Sequence, residues 1–136
     1  RLVGPAGILF NRVAIQDHKL GNINVKKGTL LTVAIASVHK NEKYYSRACE
    51  FIPERFTHED PFPNDLWKKE PYSYIPFSAG PKNCLGQHMA ILEAKIVLSL
   101  FIRTFNFEFP KDYQLKMTQK FVYDVVDPLL ATLTPL

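Results

Sequence analysis

The sequence lacks the features that mark several common protein classes. Only two of its 136 residues are cysteine, too few for a disulfide framework, and no C-x-x-C or histidine pair indicates zinc. No apolar run approaches the ~20 residues that span a bilayer. There is no signal peptide, and the chain opens on Arg1 instead of methionine, which suggests a piece of a longer protein.

Charge and composition also exclude some functions. The formal charge of +4 comes from 17 basic and 13 acidic residues, and no arginine-rich tract is present. This balance permits docking to an acidic partner but predicts no binding to nucleic acid. With 46% hydrophobic and 22% charged residues, the composition is that of an ordinary globular protein.

Cys84 is the most informative residue, because it ends a loop and precedes a long apolar segment. The loop reads Phe77-Ser78-Ala79-Gly80-Pro81-Lys82-Asn83-Cys84-Leu85-Gly86. Unpaired N–H groups and the dipole at the start of a following helix favour a thiolate, and Lys82 adds a cation. A lone cysteine is more often a small buried apolar residue or half of a disulfide, here with Cys49. The surrounding loop favours a thiolate presented for metal ligation instead.

The same ten residues resemble the haem-binding loop of the cytochrome P-450 haem-thiolate monooxygenases. That family's pattern is F-x-x-G-x-R/H-x-C-x-G, and Phe77, Gly80, Cys84 and Gly86 stand at the matching positions. Lys82 replaces the usual arginine or histidine, so the contact expected with a haem propionate would come from a compact ammonium charge instead of a planar, forked guanidinium. The resemblance implies that Cys84 ligates the iron of haem b, Phe77 packs over its sulfur, and the glycines shape the loop.

Patterning along the chain predicts an α+β arrangement, and the resemblance implies the C-terminal portion of a mainly α-helical parent fold. We expect one partial domain over residues 1–136, without the parent's N-terminal part and distal helix. Residues 1–5 are predicted to end a helix, residues 8–15 and 29–36 to be strands, and residues 19–22 and 26–28 to be turns. A short helix is predicted at residues 41–45, followed by an ordered meander over residues 51–82.

The strongest periodicity predicts a mostly buried helix over residues 87–104. Four short strands are expected beyond it, at residues 105–109, 114–117, 121–125 and 129–133. They would form C-terminal hairpins.

The resemblance extends along nearly the entire chain. Pro53-Glu54-Arg55-Phe56 is similar to the family's P-E-R-F element, and Arg1 to the arginine that closes its E-x-x-R motif. Arg1 and Arg55 would then be two members of a buried charged triad whose glutamate lies before residue 1. Taken alone, a solvated Arg1 and a surface Glu54–Arg55 pair would explain the same residues.

Further roles implied by the resemblance concern the haem edge and the substrate. Arg12 would pair with a haem propionate, although an edge-strand charge is the alternative, and Lys82 would neutralise the other. Ala90 would face the macrocycle, whereas His39 is expected to be structural and His88 not to ligate iron. Residues 5–10 and 125–129 would line a nonpolar substrate pocket, unless they are plain core.

The implied activity is insertion of one oxygen atom of O2 into a small nonpolar substrate. Electrons would come from an NADPH-dependent reductase or another electron donor. Membrane contact would run only through the missing N-terminal part, with the parent on the cytoplasmic face of the endoplasmic reticulum membrane. Two alternatives remain: a haem-thiolate isomerase or dehydratase that needs no reductase, and an inactive fragment that binds no haem. We expect residues 1–136 alone to be inactive.

Overall fold

The described residues form short antiparallel strand pairs and two α-helices of very different length. The computed structural model describes residues 1–119 and 122–136. These residues form two units, Arg1–Pro76 and Phe77–Leu136. Each unit has the same strand plan, in which a hairpin is inserted between the two members of an outer pair. The mixture of helix and small sheets agrees with the predicted α+β class.

In the first unit, β1 (Arg12–Val13) pairs with β4 (Leu30–Leu31), and β2 (His18–Leu20) pairs with β3 (Ile23–Val25). The β1–β4 pair lies within the predicted strands, but both strands are much shorter than predicted. Single backbone hydrogen bonds continue the contact, such as Leu9 N–H to Val33 O at 2.9 Å. The predicted turns are confirmed at residues 21–22 and 27–28, whereas residues 19 and 20 belong to β2. Gly21 and Gly28 adopt φ of +57° and +86°, which glycine tolerates without strain. The β2–β3 hairpin itself was not predicted.

The short helix of the first unit was placed too late in the sequence. Helix α1 spans Ile35–His39, whereas residues 41–45 form turns. A five-residue helix is too short to be stable by itself, so burial of Ile35 and His39 decides where it forms. The predicted helix end at residues 1–5 is also absent from the structure. The three residues before Gly4 are too few to close an i to i−4 hydrogen bond among themselves.

The meander is ordered, as predicted, and it contains the short 3₁₀ helices Pro53–Phe56, Leu66–Lys68 and Gly80–Lys82. An aromatic cluster holds its first part together. The ring of Trp67 stacks on Tyr45 with centroids 5.9 Å apart, and Phe56 and Tyr74 contact the same indole. The buried side chains of the described residues all belong to the first unit, and they include Tyr45, Ile35, Ile75, Arg55, His39 and Asp65.

The second unit is built on helix α2, Gln87–Thr104, whose predicted bounds are confirmed. Strand β5 (Phe105–Glu108) follows it directly and pairs with β8 (Thr132–Pro135), while β6 (Met117–Gln119) pairs with β7 (Tyr123–Val125). The strand predicted at residues 105–109 is therefore confirmed. The strands predicted at residues 114–117 and 129–133 form three residues later than predicted. Residue 121, the predicted start of the third strand, lies outside the described residues.

The expectation that α2 is mostly buried was wrong for this chain. All eighteen of its residues are exposed or half-buried, and Met89, Val97 and Leu98 are each at least 60% accessible. The apolar pattern is real, but the chain supplies too few other elements to cover it. Among the described residues, no helix combines the length and apolar character required to cross a membrane.

Candidate functional site

Backbone hydrogen bonds shape the loop that carries Cys84. The Cys84 N–H donates to the carbonyl oxygen of Phe77 at 2.9 Å, and the Asn83 N–H donates to that of Gly80 at 3.1 Å. The loop reverses at Ser78 and Gly80, whose φ angles are +65° and +78°. A side chain at Gly80 would be strained at this angle even though the space around it is open. The loop is therefore a fixed turn that returns the chain to Phe77.

The thiol of Cys84 is free and exposed at the end of this turn. Gly86 caps α2 without a side-chain hydrogen bond, so Cys84 lies two residues before a helix N-terminus that no side chain caps. A Cβ atom at Gly86 would touch nothing, and the neighbouring Leu85 is fully accessible. Leu85 and Gly86, the two residues that follow the cysteine, therefore both border open space in this chain.

The donor set fits a haem iron held by one protein ligand. Cys84 offers an unpaired thiol, and Lys82 an exposed cation, two residues away on the same loop. Across residues 1–119 and 122–136, no cluster of three or more His, Cys, Asp or Glu side chains is arranged for a metal ion. Within the described part of the chain, Cys84 is therefore not one member of a zinc-type cluster.

The other residues assigned to the haem are spread over both units. Phe77 is half-buried at the base of the loop, and Ala90 is exposed in the first turn of α2. Arg12 lies in the first unit, exposed on β1 opposite Leu31. His88 is exposed in the first turn of α2.

The two segments assigned to a substrate pocket expose apolar side chains in this structure. Ile8 and Phe10 in the first unit, and Val126 and Leu129 in the second, are each more than half accessible. They are not packed as core within their own units, so they remain available to a ligand or to other parts of the protein.

Arg1 and Arg55 meet at one aromatic ring. The guanidinium carbon of Arg1 lies 4.7 Å from the ring centre of Tyr45, and that of Arg55 lies 5.9 Å from the same centre. Burial raises the pKa of Tyr45 to about 12, so the ring stays neutral, and its hydroxyl donates to the carbonyl of Ser73. Burial, followed by the charge of Arg55, lowers the pKa of Arg1.

The expectation that both arginines lack a carboxylate was wrong for Arg55. Asp65 Oδ2 accepts a hydrogen bond from Arg55 Nη1 at 2.8 Å, and both side chains are almost completely buried. The same carboxylate also accepts from the backbone N–H and the hydroxyl of Ser46, at 3.0 and 2.6 Å. No periodicity in the Pro-rich meander points to Asp65. Its position before a 3₁₀ turn was the only available signal.

Arg1 is satisfied by carbonyl oxygens instead of a carboxylate. Its Nη1 donates to His39 O at 2.6 Å and to Ala48 O at 2.5 Å, and its Nη2 donates to Glu50 O at 3.2 Å. A cavity of about 370 Å³ opens beside it. The cavity is lined mainly by apolar residues, namely Leu2, Val3, Phe51, Ile52, Pro53 and Phe56.

His39 is a buried member of the first unit. Its Nε2 accepts a hydrogen bond from the Ile75 N–H at 2.9 Å, so the proton of the neutral ring is on Nδ1. Burial, with the positive charges of Arg1 adding to it, lowers the pKa of His39 to about 4. The lone pair that a metal would need is therefore already engaged by the backbone.

Comparison with known proteins agrees with the motif. The family model described as Cytochrome P-450 matches residues 1–132. The chain is 39% identical over 103 residues to cytochrome P-450 4c21 of Blattella germanica, covering 76% of this chain and 20% of that protein. It is also 39% identical over 111 residues to cytokinin hydroxylase of Arabidopsis thaliana, covering 81% of this chain and 20% of that protein.

Solved structures with a similar fold also belong to cytochrome P-450 proteins. The retinoic acid bound cyanobacterial CYP120A1 superposes with a TM-score of 0.86 at 28% identity, covering 99% of this chain and 30% of that one. The chain thus spans about one fifth of the length of the curated relatives it matches. On the strength of the matched family model and the shared fold, the chain belongs to the cytochrome P-450 family.

Proposed function

We propose that the complete protein containing these residues is a haem-thiolate monooxygenase, in which Cys84 would hold the iron of haem b. The observation that carries this proposal is the geometry of Cys84. Its free thiol ends a turn fixed by the hydrogen bond to Phe77 and stands two residues before an uncapped helix N-terminus. Such a position leaves the sulfur accessible to an incoming metal.

The surrounding residues would hold the haem and shape its site. Gly80 supplies the left-handed turn, and Gly86 leaves space beside the ligand where a flat ring can approach. Lys82 and Arg12 would neutralise the propionates, while Phe77 and Ala90 would contact the sulfur and the ring. A haem with a thiolate ligand supplies O2 activation, because the sulfur donates electron density that favours O–O cleavage.

The substrate we propose is a small nonpolar molecule. Support comes from the exposed apolar side chains of residues 5–10 and 125–129, which remain available to a ligand or to the rest of the protein. Electrons would come from an NADPH-dependent reductase or an equivalent donor. We further propose that the complete protein resides on the cytoplasmic face of the endoplasmic reticulum membrane, through a segment outside this chain, which cell fractionation would test.

A glutamate outside this chain would complete the charged triad of Arg1 and Arg55. Arg55 Nε is buried and has no hydrogen-bond partner among the described residues, although the two other nitrogens of this guanidinium are paired. A carboxylate supplied by a preceding segment fits this unpaired donor. The upstream reading frame tests this directly, because the motif requires a glutamate three residues before Arg1.

The ligand assignment is tested with the two free cysteines of the chain. We expect Cys84→Ser in the complete protein to remove the reduced carbon-monoxide difference spectrum of thiolate ligation. Cys49→Ser is the matched control, since Cys49 is also free and exposed, and it should leave the spectrum unchanged. A Soret band that survives in Cys84→Ser would assign the iron to another residue.

Reductase dependence then decides the reaction class. Oxidation of a nonpolar substrate that requires O2 and a reductase supports the monooxygenase. Turnover of a hydroperoxide without a reductase would instead identify an isomerase or dehydratase. A complete wild-type protein that takes up no haem would leave only the inactive alternative.

A further inference from the structure

The segment that leads into the Cys84 loop is held at two points by side chains from earlier in the sequence. The Tyr45 hydroxyl donates to the carbonyl of Ser73 at 2.8 Å, and His39 Nε2 accepts the Ile75 N–H at 2.9 Å. Both contacts are buried. Thirty-six residues separate His39 from Ile75, so this bond is a long-range tether and not part of a local turn.

His39 is itself fixed by its neighbours. The Arg1 guanidinium binds its carbonyl oxygen, and the ring of Tyr74 lies 5.4 Å from the imidazole centre. The His39 residue is only 2% exposed. A buried ring that packs against Tyr74 and is held by its backbone offers Nε2 in one direction, which makes it a rigid acceptor.

The chain between Ile75 and the loop is stiff. Pro76 has a fixed φ and restricts Ile75 to extended conformations, so few free dihedrals separate the tethered amide from Phe77. The Phe77 carbonyl then accepts the Cys84 N–H at 2.9 Å. A single residue, Pro76, therefore separates the tethered Ile75 from Phe77, whose carbonyl holds the cysteine N–H.

We propose that His39 is a positioning residue for the thiolate ligand: its Nε2 holds the Ile75 amide and thereby fixes the start of the turn that presents Cys84. The effect on iron ligation rests on the proposed function, whereas the hydrogen bond between His39 and Ile75 does not require haem. Asp65 and Lys68 also hold the meander, yet their contacts lie farther from the loop along the chain.

The test compares three substitutions in the complete, haem-loaded protein. His39→Leu removes the acceptor while keeping an apolar side chain in the pocket. His39→Gln places an amide oxygen where Nε2 stood, so it retains the acceptor without the ring. His58→Leu is the matched control, because the His58 side chain is 92% exposed and its ion pair with Glu59 is long, at 4.0 Å.

We expect His39→Leu to lower hydrogen-exchange protection of the Ile75 amide about tenfold or more, as for a buried donor that has lost its acceptor. Protection of the Cys84 amide should fall several-fold. At equal haem content, a larger fraction of the iron should lose the thiolate signature in the reduced carbon-monoxide spectrum. His39→Gln should restore all three readouts toward wild type, and His58→Leu should change none.

Two results would overturn the proposal. One is wild-type protection at Ile75 and Cys84 in His39→Leu. The other is a His39→Gln protein as impaired as His39→Leu, because the ring's packing and not its acceptor would then matter. Failure of the proposed function looks different: the wild type itself would lack the thiolate spectrum, while the exchange data would still decide the tether.

Discussion

Asp65 is the residue whose removal should most damage the first unit. It places a carboxylate against the buried guanidinium of Arg55 and accepts two further hydrogen bonds from Ser46. Asp65→Ala would leave a cation with its side chain 0% exposed and without its carboxylate. Breaking a buried ion pair from one side costs about 3–5 kcal/mol, because the remaining charge stays desolvated and unpaired.

Native-state hydrogen exchange of the complete protein measures this cost locally. A loss of about 3–5 kcal/mol corresponds to a rise of roughly 10²- to 10³-fold or more in the opening constant of the meander amides. Asp65→Asn separates charge from geometry, since the amide oxygen can still accept from Arg55. We expect the opening constant of the meander amides in Asp65→Asn to lie between those of Asp65→Ala and wild type.

The control is the exposed ion pair of Asp17 with Lys26, whose nitrogen and oxygen are also 2.8 Å apart. Exposed pairs contribute little to stability, because water screens them. Asp17→Ala should therefore leave exchange in the meander unchanged. If Asp65→Ala opened the meander no more than Asp17→Ala, Asp65 would not be the counterion that permits the burial of Arg55.

Three further predictions concern the ligand, pH and the isolated chain. Lys82→Ala should weaken haem retention but keep the thiolate spectrum, because a propionate contact acts at the edge of the ring; unchanged haem content would make Lys82 a solvated charge. Since the pKa of His39 falls from 6.5 to about 4 on folding, the unfolded state binds the extra proton between these values, and the free energy of unfolding of wild type should decrease as pH falls through this window. In denaturation experiments, the free energy of unfolding of His39→Gln should not show this pH dependence. If the free energy of unfolding changed equally with pH in both proteins, the pKa shift of His39 would be refuted. Residues 1–136 expressed alone should aggregate and hold no stoichiometric haem, because α2 exposes its apolar side chains; a soluble monomer with one bound haem and turnover would contradict this.

Local features allowed the sequence to predict the central part of the candidate site. Gly80 and Pro81 define the turn, the apolar periodicity defines α2 to the residue, and the four matched positions around Cys84 identify the family. Each of these signals lies within a few residues of the element it specifies. The left-handed φ of Gly80 and the 3.6-residue period of a helix leave direct traces in the sequence.

Elements stabilised by distant contacts were predicted less well. Helix α1 was placed six residues late, because a five-residue helix depends on burial of Ile35 and His39 and not on propensity. The β2–β3 hairpin was missed between its correctly predicted turns. The burial of α2 was overestimated. An apolar face indicates that a helix needs other elements to pack against, but it does not indicate whether this chain contains them.

The family, the cysteine loop and the long helix can be predicted from the sequence alone, since each is encoded in consecutive residues. The folded structure is needed to show that Asp65 neutralises Arg55, ten residues away, and that His39 holds the Ile75 amide, thirty-six residues away. Neither pairing follows from a spacing rule, because the meander has no periodicity that sets which side chains meet. Burial selects these partners: a charge or an amide removed from water must find an opposite group, and only the folded chain determines which one is in reach.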